Sequence, residues 1–147
     1  MLSNSCKYAI RSMLYLALNN KGNNCIDIKK ISEELRIPTP FLAKILQTLA
    51  KHKILLSSKG PHGGFYLAKK ASEIYLMDII KIFDGEDVCN ICLIGIGECK
   101  ENETNEYHCP IHDKFEPIKN ELINLFTTQT IQSLIDDIIN SGKKIKI

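Results

Sequence analysis

Three cysteines and a histidine share one polar, glycine-containing stretch, CLIGIGECKENETNEYHCPIH, running from Cys92 to His112. Six residues separate Cys92 from Cys99 and nine separate Cys99 from Cys109, looser than the C-x-x-C pairs of zinc ribbons and knuckles. A segment this polar buries little apolar surface, so packing does not account for it. Thiolates suit an iron–sulfur cluster, 2Fe–2S or 4Fe–4S, and three of them in such a loop can wrap one while backbone N–H groups point at its sulfides. A fourth ligand is needed, or that position stays open. His112 stands three residues after Cys109, and Cys89 forms C-x-x-C with Cys92. A structural zinc or a thiol/disulfide switch would use the same residues. Cys25 reads as an ordinary buried or idle thiol.

The compartment bears on this choice. The apolar residues of MLSNSCKYAIRSMLYLALNN are interrupted by Lys7 and Arg11, and no small-residue cleavage site follows. No run reaches the roughly 18 apolar residues of a spanning helix. A cytoplasmic protein without a membrane partner is expected, where six cysteines serve as ligands, reactive thiols or core residues rather than disulfides.

The elements that must position this loop follow from periodicity. From about Ser5 to Asn19, Cys6, Ala9, Ile10, Met13, Leu14, Ala17 and Leu18 make one helical stripe. Asp27 can cap a short second helix with Ile28, Ile31 and Leu35 on one face. RIPTP is a tight connection, in which Thr39 supplies a cap and Pro40 the first helical position. A third helix runs to about Lys51 with Leu42, Ile45, Leu46 and Leu49 inward. Ile54–Ser57 and Phe65–Ala68 read as strands around the glycine-rich tip KGPHGG. Leu76, Ile79, Ile80 and Phe83 mark another helix. A long helix from about Asp113 carries Phe115, Ile118, Leu122, Leu125 and Phe126, with Pro117 expected in its first turn. Thr128 can cap a last helix bearing Ile131, Leu134, Ile135, Ile138 and Ile139.

Helix, turn, helix and a two-stranded wing make a winged helix-turn-helix. The expected fold is mainly α with a small β-wing, a DNA-binding domain over 1–85, a cysteine-rich loop over 86–112 and C-terminal dimerisation helices over 113–147. Charge divides along the same line. Residues 1–85 hold 13 Lys/Arg against 6 Asp/Glu, whereas 86–147 hold 6 against 11. A basic N-terminal part suits a polyanionic partner. On the third helix Thr39, Pro40, Lys44, Gln47, Thr48 and Lys51 face away from the core. There Gln can read adenine and Lys can meet guanine or phosphate. On the wing, Ser57 and Ser58 can donate to phosphates, and Lys59 and His62 stand between glycines that let backbone approach the duplex. The expected partner is a double-stranded DNA operator. No phosphate loop, nucleotide fingerprint or nucleophile–base motif is present, so an enzyme is not expected. An iron–sulfur electron carrier is the other class to weigh, and it has no need of a wing.

SCKYAIRSMLYLA, the segment from Ile26 to Lys69, EIYLMDII and CLIGIGEC…CPIH occur in one order, with Ser57–Gly64 as the most specific piece. In these residues the chain resembles the winged-helix regulators of the IscR/NsrR (Rrf-two) family, to about Leu134. The resemblance implies a homodimeric transcriptional regulator, usually a repressor, whose long C-terminal helix makes the dimer. It also implies that an iron–sulfur cluster in the cysteine loop governs DNA affinity in response to redox state, cluster supply or nitric oxide. This sequence departs from relatives at places that matter. Pro40, Ala43 and Lys44 stand where the cluster regulator has serine, glutamate and glutamine, so no operator sequence carries over. Lys59 replaces a wing arginine. Lys7 stands where the nitric-oxide sensor places an aspartate ligand from the partner subunit, and the neighbouring Cys6 is a candidate to serve instead.

Overall fold

The computed structural model describes residues 2–19, 24–89, 94 and 110–142. The first helix, α1 (Asn4–Asn19), is the hub, packed by α3 (Thr39–Lys51), α4 (Leu76–Asp84), α6 (Ile131–Ser141) and the second wing strand. A helix covered from several sides has no single apolar stripe. Cys6, Ala9, Met13 and Leu16 are fully buried, but so are Ser12 and, nearly, Tyr15, while Ile10, Leu14, Ala17 and Leu18 lie at the core's margin. Ser12 is tolerated there because its hydroxyl donates to the Tyr8 carbonyl at 2.8 Å.

The short α2 (Ile28–Leu35) starts where expected, with the Asp27 carboxylate accepting from the Lys29 amide at 3.0 Å. It ends at Arg36, whose left-handed backbone (φ 53°) turns the chain. Thr39 is the first residue of α3 rather than its cap, and Pro38 takes the cap position. The Thr39 hydroxyl instead meets Ser32 Oγ at 2.8 Å, tying α2 to α3. Lys53 (φ 58°) closes α3 in the same left-handed way, with the Ile54 amide reaching back to the Leu49 carbonyl at 3.0 Å.

The strands β1 (Leu55–Ser58) and β2 (Gly64–Leu67) pair antiparallel, Leu55 opposite Leu67 and Ser58 opposite Gly64. The ladder starts and ends one residue away from the sequence expectation at each strand, although Ala68 still donates to the Ile54 carbonyl at 3.0 Å. A single residue, Ile26, adds to the outer side of β2, exchanging two 3.0 Å hydrogen bonds with Phe65.

The C-terminal helices return to this body. The long α5 (His112–Thr128) begins one residue early, so Pro117 is its sixth residue, inside the helix and not in its first turn. Pro117 is exposed, which puts the missing N–H on the solvent side. Thr128 ends α5, its hydroxyl donating to the Asn124 carbonyl, and the cap of α6 is Thr130, which exchanges hydrogen bonds with Ser133. Residues on either side of Thr130 are stitched to the start of α4. Leu76 N–H donates to the Gln129 carbonyl at 3.0 Å, and Ile131 N–H to the Ile74 carbonyl at 2.9 Å. Ile131 and Ile135 then enter the core beside α1, so α6 completes the body that 1–85 begins. Thr130→Ala should cost about 1 kcal/mol, lowering the melting temperature by about 2–4 °C, and an unchanged thermal melt would remove the cap from this account.

Candidate nucleic-acid interface and the cysteine-bearing end

Leu42, Ile45, Leu46 and Leu49 hold α3 to the core. The opposite face carries Pro40, Lys44, Gln47 and Lys51, all exposed, at spacings of four, three and four that align them along the helix. Thr39 and Thr48 are half-buried, and their hydroxyls are spent inside the protein, on Ser32 and on the Lys44 carbonyl (2.8 Å). The usable line is therefore narrower than the six residues the sequence offers.

Phe41 was not among those six. It is 37% exposed. Its ring meets Tyr8 edge-on, with centroids 5.7 Å apart and planes at 85°. Arg11 lies over the other ring at 5.7 Å and donates to the Leu35 carbonyl at 3.2 Å. This stack fixes the first turn of α3 against α1 and against the end of α2. The signal available in sequence was that Phe41 falls off the Leu42–Leu49 stripe, so an aromatic there has no core to fill.

On the wing, Ser57, Ser58, Lys59 and His62 are all exposed. Gly60 adopts φ 111° and its carbonyl accepts from the Gly63 amide at 2.9 Å, closing the tip. Arg36 and Lys53 add exposed cations at the two ends of α3. Among the described residues, Arg36, Lys44, Lys51, Lys53 and Lys59 have no carboxylate within ion-pair distance. Five unpaired cations around one helix and its wing hold counterions that a polyanion would release.

At the other end, the Ser3 amide donates to Asp84 at 2.9 Å, joining the start of α1 to the end of α4. Cys6 is fully buried beside this contact. Burial, the Asp84 charge and a hydrogen bond to that carboxylate push its thiol up to about 12. A metal bound at this thiol would first have to displace its proton. Cys89 ends a short 3-10 turn (Glu86–Cys89) that packs on both α4 and α5. Burial raises its thiol, opposed by the Lys119 ammonium. His112 opens α5, is 7% exposed, and places Nε2 3.3 Å from the Glu116 carboxylate. Cys92, Cys99 and Cys109 lie outside the described residues. Among the described residues no group of three His, Cys, Asp or Glu could hold a metal ion. Cys89 and His112 stand at the two edges of the 90–111 segment that carries the other three candidate thiols.

Comparison with known proteins follows the same lines. The sequence pattern of the Rrf2 family, described as iron-dependent transcriptional regulators, matches residues 2–137. A protein of Aquifex aeolicus assigned as an HTH-type transcriptional regulator is 35% identical over 136 residues, 92% of each chain. The HTH-type transcriptional regulator IscR of Escherichia coli is 26% identical over 92% of this chain and 80% of its own. Among solved structures, CymR, the global cysteine regulator of B. subtilis, superposes with a TM-score of 0.74 at 19% identity, covering 92% of this chain and 96% of that one. IscR of T. potens superposes with a TM-score of 0.72 at 18% identity over 99% and 93%. At these identities the two structures show a shared fold.

Proposed function

From the premise that this chain belongs to the Rrf2 family of transcriptional regulators, we propose that it is a homodimeric DNA-binding repressor whose operator affinity is set by an iron–sulfur cluster. The observation that carries the DNA half is the exposed line of α3 with its wing and five unpaired cations. Lys44 and Gln47 read base edges in the major groove, where lysine meets guanine acceptors and glutamine can pair with adenine. Lys59 and His62 follow the wing over the flanking minor groove, and Ser57, Ser58, Lys51, Lys53 and Arg36 hold phosphates. Nothing in the site does covalent chemistry, and relatives are named as regulators.

The sensing half rests on donor chemistry. Cys92, Cys99 and Cys109 would hold the cluster, with His112 or Cys89 as the fourth ligand. Bound there, the group supplies a redox-active, degradable tie across the 90–111 segment. His112 makes this placement attractive, since it starts α5 and is already buried beside Glu116. Cys6 is the third candidate, buried on α1 beside the Ser3–Asp84 contact.

Anaerobic purification followed by a visible spectrum is the test. The protein should be coloured, and Cys92→Ala, Cys99→Ala or Cys109→Ala should each remove most of the absorbance. Cys25→Ala should keep it, and loss of absorbance in Cys6→Ala would make Cys6 the fourth ligand. A colourless protein holding stoichiometric zinc would replace the cluster by a structural metal, and a colourless metal-free protein with oxidisable thiols would replace it by a disulfide switch. Gel shifts on genomic fragments at one fixed salt concentration test the DNA half separately. Failure to retain any fragment would sink it.

A further inference from the structure

Along the outward line of α3, three of the four side chains can hydrogen-bond and the leading one cannot. Pro40 has no side-chain donor or acceptor and no amide N–H, and it is exposed. Phe41 beside it shows 37% of its surface, its ring pinned against Tyr8. The tip of the helix is therefore a carbon surface held rigidly on the body, flanked by the unpaired cations Arg36 and Lys44. In a helix-turn-helix this N-terminal tip is what meets base edges.

The major groove offers carbon only one apolar feature, the C5-methyl of thymine. The polar edge groups are donors or acceptors that a proline would strip of water without replacing the hydrogen bond, and the cytosine C5–H offers much less apolar surface than the methyl. Resting on the DNA-binding reading above, we propose that Pro40, flanked by Phe41, is a specificity-determining contact that selects a thymine in each operator half-site through its methyl group. The contact is formed before binding, since α3 is locked by the Phe41–Tyr8–Arg11 stack and little side-chain freedom is lost on docking. Lys44, one turn further along, lies ~6 Å from this contact in axial rise.

The experiment starts from random duplex DNA, selected on the full-length wild-type protein at fixed salt. Each thymine of the preferred half-site is then replaced in turn by deoxyuridine, which removes the methyl and nothing else. One position per half-site should weaken binding by about fourfold, the effect of one buried methyl. Replacement in both halves should weaken it by about fifteenfold. In Pro40→Ser the thymine-to-uracil ratio at that position should fall to about one, with the others unchanged. A wild-type protein that keeps its sequence preference while every uracil replacement is silent overturns the thymine contact and leaves DNA reading intact. A ratio unmoved by Pro40→Ser overturns the assignment to Pro40. A selection that enriches no sequence overturns the operator-reading function, and this inference with it.

Discussion

Gly64→Ala should lower the melting temperature by roughly 5–15 °C and abolish operator binding, the largest effect expected of a methyl added at any described glycine. A Cβ at Gly64 would sit 2.3 Å from the Ile26 carbonyl oxygen, 2.5 Å from its carbon and 2.9 Å from the Asp27 nitrogen. All three are backbone atoms, so no side chain can swing aside. The structure yields only by parting Ile26 from Phe65, which gives up both 3.0 Å hydrogen bonds between them. Each such loss costs about 1–3 kcal/mol where the freed groups stay buried. Ile26 itself is nearly buried, so part of its core contact goes as well. The damage spreads in a definite direction, because Asp27 caps α2 and α2 leads through Arg36 into the helix that reads DNA. Gly60→Ala is the control. Its site is open space and the cost is backbone strain at φ 111° alone, about 1–3 kcal/mol. Circular dichroism melts of the two variants decide the matter, and a Gly64→Ala protein that melts with the wild type would show that Ile26 does not bear on the wing.

The glycines of the wing show how far sequence could go. KGPHGG marked a tight tip, and its position followed from the two short apolar runs on either side of it. The reason for Gly63 and Gly64 did not. They admit the protein's own backbone, the Ser58 carbonyl for one and Ile26 for the other, rather than only that of a duplex. A one-residue strand such as Ile26 has no periodicity to betray it. The outward line of α3 was legible because four core leucines and isoleucines define its opposite. Phe41 was not, since its role depends on α1, thirty residues upstream, presenting Tyr8 and Arg11. Asp27 could be read as a cap from its place before an apolar stripe. Thr128 and Thr130 could not be told apart, because the choice is made by the hydrogen bonds that join Gln129 and Ile131 to the start of α4. Cys6 looked like a core residue with an option on ligation. That Asp84, on a distant helix, lies close enough to raise its thiol could not be read from the sequence. The ligand set of the 90–111 segment remains as the sequence offers it: three thiols of suitable chemistry with Cys89 and His112 at the edges.

Leu122→Glu should convert the protein to a monomer at micromolar concentration and weaken operator binding by about 10²–10⁴-fold. The motive is an exposed apolar line on α5. Ile118, Leu122 and Leu125 are 55%, 41% and 46% exposed at spacings of four and three, which puts them on one face. Phe115 and Phe126 are half-buried on the same helix. Contiguous apolar residues displayed this way on a small protein mark a surface that another chain covers. A glutamate at a position already exposed costs the isolated subunit little, so loss of function would come from dissociation rather than unfolding. Affinity falls steeply because a dimer engages its second half-site intramolecularly, at the effective concentration set by the first. The geometry supports rigid coupling of the two heads. Just past the end of α5, Gln129 and Ile131 are hydrogen-bonded to Leu76 and Ile74 at the start of α4, so a head moves with its own α5. Two α5 helices packed face to face would then set the separation of the two recognition helices, which must match half-sites about 34 Å apart. The cysteine segment enters α5 at its opposite end, at His112, where a change in ligation could shift one helix along the other. Light scattering and gel shifts on the same preparations test this together. A wild-type monomer at micromolar concentration, or a Leu122→Glu protein that stays dimeric, would place the subunit contact elsewhere and leave α5 with no part in spacing the heads.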